Sequence, residues 1–317
     1  EKAGVQQHEH DVNQPGLIGT LQRVCQHARQ QGDVFLIGEI GSEERETLAR
    51  YQAPSLMDVV FNFNIGSQKT FDAARLCDEI NATLALQSGL PTLFFSSHDM
   101  PRMISRFGEG PHDAARALAV LALQLTVRGV PFIFQGDELG MPDYVPQTVG
   151  QIFDIQGKTF YDTAMRQGCS AADALAQAIE HSRDGSRAPF LWCDAPFAGF
   201  SISTPWMPVS QDYPLLNAEH QISTPGSLWR QYQTFIALRA AIGALQHGEC
   251  SLLKRHKACV WFTRTTTQEQ VWVAVNFGQP VQNPLWAIEA DVLYGQNAQQ
   301  LDKNQILIKR SVYEQTR

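Results

Sequence analysis

Apolar positions along the first part of the chain alternate between two textures. GLIGTLQRVCQHARQQG, residues 16–32, places Leu17, Leu21, Val24, Cys25 and Ala28 on one face at helical spacing, with Pro15 near its start and Gly32 at its end. DVFLIGEIG, residues 33–41, is then a short apolar run of strand length. SEERETLARYQ (42–52) reads as a helix with Ser42 as its cap and acidic residues in its first turn. The pattern repeats: LMDVVFNFN (56–64) as strand, TFDAARLCDEINATLAL (70–86) as helix and LPTLFFS (90–96) as strand. DAARALAVLALQLTVRG (113–129) follows as a long helix closed by Gly129, and then VPFIFQG (130–136) as strand.

Four apolar strands separated by helices predict parallel βα units with right-handed connections, their loops gathered on one edge. The pattern fits either an open doubly wound sheet or part of a (β/α)8 barrel. Between Gly136 and about Gly226 it loosens into Pro, Gly, Asp and aromatic residues, interrupted by the helical stretch SAADALAQAIEHS (170–182). So much irregular chain in a compact domain points to a site. A helix SLWRQYQTFIALRAAI (227–242) follows. Beyond it SLLKRH, CVWFTRTT, QVWVAVNF, DVLYG and QILIKRS have the length and turn punctuation of antiparallel strands. Two units are expected, residues 1–244 as α/β and 245–317 as all-β.

Composition narrows the function classes. Of 317 residues, 44% are hydrophobic and 18% charged, which predicts a chain folded throughout. The net charge of −7 comes with no Lys/Arg cluster, so a nucleic-acid partner is not expected. The six cysteines show no CxxC or Cys/His spacing and read as reduced, mostly buried thiols, with no metal held by them. No apolar run approaches the roughly 20 residues of a membrane span. The first residues, EKAGVQQHEHDVNQP, have neither the basic nor the apolar region of a secretory leader. The expectation is a cytoplasmic protein with no membrane contact.

Polar chemistry collects at the strand ends. Glu39 follows FLIG, Asn62 and Asn64 stand in VFNFN, and His98 with Asp99 follow FFSS. In parallel α/β folds that edge holds ligands, because loops converge there on rigid strands. Two carboxylates brought within a few ångströms from different strand ends can split their roles: one kept protonated as an acid, the other ionised. Glycoside hydrolysis uses such a pair, although the pair alone does not single that reaction out.

The segments FLIGEIG, LMDVVFNFN, FFSSHDMPRMISRFG, VRGVPFIFQGDELGMPD, RDGSRAPFLW and AGFSISTPWMPV, with the helix SLWRQYQTFIALR, resemble in order the α-glucosidase and oligo-1,6-glucosidase branch of glycoside hydrolase family 13, the α-amylase superfamily. QQHEHDVNQPG is similar to the stretch preceding the general-acid strand there. The resemblance runs over nearly the whole chain, and HD-x-PR-x-x-x-RFG followed by RG-x-P-x-x-x-QGDELGMP is its most specific part.

What the resemblance implies is a retaining glycoside hydrolase that releases glucose from the non-reducing end of short α-glucosides. Glu39 matches the general acid/base, and Asp99 the carboxylate that stabilises the transition state and grips sugar hydroxyls. His98 and Arg183 match substrate-binding neighbours, and Arg102 is placed with them at the pocket or its rim, Arg106 beside it, with salt bridges beneath the site as the equal alternative for these last two. The family's nucleophile, an aspartate in a GFRxD-type motif, has no counterpart before Glu39. The implied fold is therefore the second half of a (β/α)8 TIM barrel, strands five to eight, followed by a C-terminal antiparallel β-sandwich domain. The first half is expected as a partner and this chain alone is expected to be inactive. No cofactor is implied, and calcium only in the other half. The same resemblance leaves room for a glucosyltransferase or isomerase of the superfamily, or for a non-catalytic amylase-like binding or scaffold protein.

Overall fold

The computed structural model describes residues 10, 14–86, 89–110 and 113–313. QQHEHDVNQPG lies mostly outside the described residues. Helix α1, Leu17–Gln30, starts after Gly16, whose φ of 86° turns the chain into the helix without a side-chain cap. Strand β1 is Ile37–Gly38. Helix α2 is Arg45–Tyr51, and its N-cap is Glu44 rather than Ser42. The Ser42 hydroxyl instead accepts from the Glu44 amide at 3.1 Å, one step ahead of the helix.

Strand β2, Val59–Val60, is also short. The expected run through Asn64 ends early because the Asn62 side chain accepts from the Asn64 amide and caps a single turn, α3, Phe63–Gly66. Helix α4, Ala73–Ala85, is capped by Asp72, and strand β3 is Thr92–Leu93. A short α5, Met103–Phe107, and the Asp113-capped α6, Ala114–Thr126, precede β4, Val130–Pro131. Helix α6 stops at Thr126, with Val127 already extended, three residues before the glycine expected to close it.

Strands β1 and β2 pair in parallel, Ile37 with Val59 and Gly38 with Val60. Strands β3 and β4 do likewise, Thr92 with Val130 and Leu93 with Pro131. No ladder joins the two pairs among the described residues. The wholly buried Thr92 hydroxyl joins them instead, donating to Val60 O at 3.0 Å and accepting from the Asn62 amide at 2.8 Å. Gln124 of α6 donates to Leu93 O and Phe132 O, fixing that helix across β3 and β4.

The region that looked irregular contains a pair of packed helices, α7 at Ile155–Arg166 and α8 at Ala171–Glu180. It also holds two short turns of helix, α9 at Asp184–Arg187 and α10 at Ala218–Ser223. Helix α7 is not an expected element: Gly157 and a mostly polar sequence hide it, while Asp154 caps it from outside. Gly157 is needed where α7 meets the end of α8, since a Cβ there would stand 2.9 Å from Ser182 Cβ and 3.0 Å from Ala178 O.

Helices α11, Leu228–Ala241, and α12, Gly243–His247, lead into the strands. These are β5 Glu249–Cys250, β6 Lys254–His256, β7 Cys259–Thr265, β8 Glu269–Asn276, β9 Val281–Gln282, β10 Asp291–Tyr294, β11 Gln300–Leu301 and β12 Ile306–Val312. One antiparallel sheet runs β10-β12-β8-β7-β5 with β6 also on β7, and β9 pairs separately with β11. Period-two alternation gives the large sheet two buried faces. Val260, Phe262, Val271, Val273 and Val275 pack with α4 and α6, while Cys259, Ala274 and Leu307 pack with Val281, Leu285 and Leu301. Asn81 of α4 clamps the sheet side from below, donating to Leu253 O and accepting from its amide.

Candidate active site

Glu39 leaves the end of β1 through Gly38, whose missing side chain lets the strand lie on Met57 and Val60; a Cβ would meet them at 3.0 and 3.1 Å. Beyond β3, Phe94, Phe95 and Ser96 are buried, Ser97 is half-buried, and His98 and Asp99 emerge. Glu39, His98 and Asp99 together line one open cavity of about 190 Å³. Its other walls are Ser96, Ser97, Ile133 and the rings of Phe61, Phe63, Phe94, Phe132 and Phe134. Phe61 and Phe63 both meet Phe94 edge-on, at 5.0 and 5.4 Å, so the apolar wall is a packed unit. Two of the expected carboxylates, from two different strands, thus face one hollow with a largely apolar floor.

Asp99 is flanked by two arginines and a histidine. Its Oδ1 accepts from Arg187 Nη2 at 2.5 Å and from Arg183 Nη1 at 3.3 Å, and its Oδ2 lies 3.5 Å from His98 Nε2. Arg187 also donates to His98 O at 2.7 Å, which ties the HDMPR turn to α9. Arg187 was not among the residues expected at the site. The signal for it was present in RDGSR, whose second arginine stands four residues after the first.

Arg183 is held from behind. The Asp154 carboxylate accepts from its Nε at 2.8 Å, its Nη2 at 2.9 Å and its backbone amide at 2.9 Å. These bonds hold the Asp154 carboxyl well below the usual carboxylate range and raise the guanidinium further above its own. Arg183 and Asp99 also border a larger cleft of about 760 Å³, walled by Tyr144, Glu180 and His181 among others. That cleft is larger, but Glu39 is not on it. The smaller cavity, lined by carboxylate residues from two strand ends, is the better match to acid/base chemistry.

Arg102 lines neither cavity and lies buried beneath the site, the second of the two places left open for it. It is 1% exposed and donates to Gln135 O at 2.8 Å and Ser186 O at 3.0 Å, with its guanidinium 4.9 Å above the Phe134 ring. Burial lowers its pKa, while Asp137, Asp143 and Glu138 act against that shift. Arg106 is similar, donating to Pro101 O, Gly66 O, Gln68 O and Phe95 O, its pKa lowered by burial to about 10.

These bonds explain why HDMPR and QGDELGMPD occur together: they build one turn. Ser96 Oγ donates to Asp137 at 2.7 Å and accepts from the Met103 amide at 2.8 Å. The Arg102 amide donates to Asp143 at 2.8 Å. Gly136, at φ 95°, leaves room for Arg102, since a Cβ would stand 2.7 Å from its Nη1. Burial pushes the Asp137 carboxyl up to about 6 against the pull of Ser96 and Arg102.

Among the described residues no cluster of three or more His, Cys, Asp or Glu side chains is placed to hold a metal ion, and no helix is long and apolar enough to cross a membrane.

The family model "Alpha amylase, catalytic domain" matches residues 1–248. An alpha-glucosidase of Pediococcus pentosaceus is 37% identical over 263 residues, 76% of this chain and 47% of that protein. An oligo-1,6-glucosidase of Halalkalibacterium halodurans is 28% identical over 282 residues, 84% of this chain and 50% of that protein. Among solved structures, the trehalulose synthase MutB superposes with a TM-score of 0.84 at 28% identity, over 95% of this chain and 60% of that one. A trehalose-6-phosphate hydrolase of Bacillus licheniformis, at 23% identity and a TM-score of 0.82, shares the fold. The chain spans about half the length of the curated relatives it matches.

Proposed function

This chain belongs to the alpha-amylase family of catalytic domains, and on that premise we propose that it supplies one half of the active site of a retaining α-glucosidase. Strands β1 to β4 act as strands five to eight of a (β/α)8 barrel, residues 1–244 forming the barrel half and 245–317 the all-β domain. The observation that carries the reading is the convergence of Glu39, His98 and Asp99 on one cavity.

In this reading Glu39 donates its proton to the glycosidic oxygen as the bond to the anomeric carbon breaks. Positive charge grows on the sugar ring, and the Asp99 carboxylate stabilises it while accepting from ring hydroxyls. His98 and Arg183 hold the same ring. The double displacement also needs a carboxylate nucleophile about 5 Å from the acid. That group belongs to the complementary half-barrel, carried on further residues of the same polypeptide or on a second one, along with any calcium.

Two features support a complementary half. The Thr92 hydroxyl links β2 to β3, which leaves β1 and β4 as the outer strands, with no second ladder partner for either among the described residues. Phe35 ahead of β1, Ile37 within it and Ile133 after β4 are 57%, 46% and 39% exposed, apolar surface that closure of the barrel would cover.

The likeness to a trehalulose synthase favours a second reading, in which the glycosyl-enzyme is passed to a sugar instead of water. The complete protein, incubated with p-nitrophenyl α-glucoside and then with a concentrated disaccharide, separates the two. Free glucose as main product supports hydrolysis, and rearranged disaccharide supports the isomerase. If glucose binds but neither product forms with either substrate, the enzyme reading fails.

A further inference from the structure

The helix pair α7–α8 is an excursion whose two ends meet at the site. The chain enters it at Asp154 and leaves it at Arg183, and these two residues are bonded three times over. The crossing is reciprocal: Asp184, next to Arg183, accepts from the amides of Phe153 and Asp154 at 2.7 and 3.0 Å. Asp154 has a side chain 1% exposed, while that of Arg183 is 35% exposed and reaches forward to Asp99. A guanidinium fork gripped on two of its nitrogens has little freedom left, so its third nitrogen is aimed by the grip.

We infer that Asp154 is a positioning residue: from the neck of the α7–α8 excursion it aims Arg183 at Asp99, and so sets the geometry with which the site receives a sugar ring. The inference rests on the functional reading above in taking Asp99 as a sugar contact. It assigns to the excursion a role in the site that neither helix performs by contact with the Glu39 cavity, whose lining contains no residue of α7 or α8. Asp154 also caps α7 through the Gln156 amide at 3.2 Å. Asparagine keeps an acceptor for that cap while removing the charge that grips the fork.

The test is a double-mutant cycle of Asp154→Asn and Arg183→Ala in the complete protein, read on glucose affinity by titration calorimetry and on kcat/KM, with Tm recorded for each variant. Each single change is expected to weaken glucose binding about tenfold to a hundredfold, the scale of a misplaced positioning contact. The double variant is expected to be no weaker than the weaker single, because both changes remove one device. Losses that multiply in the double variant would overturn the inference. So would an Asp154→Asn protein with lowered Tm but glucose affinity within about twofold of the parent, since that marks a structural cap alone. If the parent binds glucose without turnover, the enzyme reading fails while the affinity cycle still decides the role of Asp154.

Discussion

Replacing Thr92 by valine tests how the two strand pairs are joined. The hydroxyl is the bridge between β2 and β3, at 3.0 Å from Val60 O and 2.8 Å from the Asn62 amide, in a residue with no solvent exposure. Valine keeps the shape and replaces the hydroxyl by a methyl. The Asn62 amide then loses its acceptor in a dry site, which costs about 1–3 kcal/mol, and the lost bond to Val60 O adds about 1 kcal/mol. The extra buried methyl returns about 0.8 kcal/mol. The net expectation is a loss of roughly 1–3 kcal/mol. Serine keeps both hydrogen bonds and loses only a methyl, for about 1 kcal/mol. Urea denaturation of the complete protein, comparing midpoints at constant m, is the assay. A valine variant as stable as the parent, or a serine variant less stable than the valine one, would refute the reasoning. Because Glu39 hangs from β1, which among the described residues pairs only with β2, and Asp99 follows β3, the valine variant is also expected to lose activity through a shifted carboxylate pair.

Gly136→Ala is expected to cost about 2–4 kcal/mol, because φ is 95° and the new Cβ would stand 2.7 Å from Arg102 Nη1 and from Met141 Sδ; thermal melting checks it, and an unchanged Tm would count against the interlocked turn. The Asp154 carboxyl is held below its usual range by Arg183, so the stability it contributes is present above its unfolded pKa near 4 and is lost as pH falls through the lower folded value. The Tm difference between parent and Asp154→Asn should therefore shrink as pH is lowered from 6 toward 2.5, and a constant difference would contradict the assignment.

The alternation of helix and strand was legible because apolar runs bounded by turn residues survive in any parallel βα unit. Element ends were less legible, since they hang on single side chains: Asn62 diverts the chain after β2, and Glu44 rather than Ser42 precedes α2. Strand-end position names Glu39, Asn62, Asn64, His98 and Asp99 alike; one cavity is lined by Glu39, His98 and Asp99, but not by the two asparagines. Arg102 could not be placed that way, because its burial depends on carbonyls of Gln135 and Ser186, far along the chain. Arg187 stands in the same RDGSR stretch as Arg183, whereas Asp154 meets Arg183 across the whole α7–α8 excursion, a juxtaposition no local pattern encodes. Such residues are found by asking which distant acceptors a guanidinium satisfies.

In the proposed function Glu39 is the acid of a glycosidase. An activated leaving group such as p-nitrophenolate departs with little help from a proton, whereas a sugar alcohol needs one. In the complete protein, Glu39→Gln should lower kcat/KM by about a thousandfold or more on an α-linked disaccharide and much less on p-nitrophenyl α-glucoside, while Asp99→Asn lowers both alike. Equal losses on the two substrates for Glu39→Gln, or full activity on the disaccharide, would contradict the account.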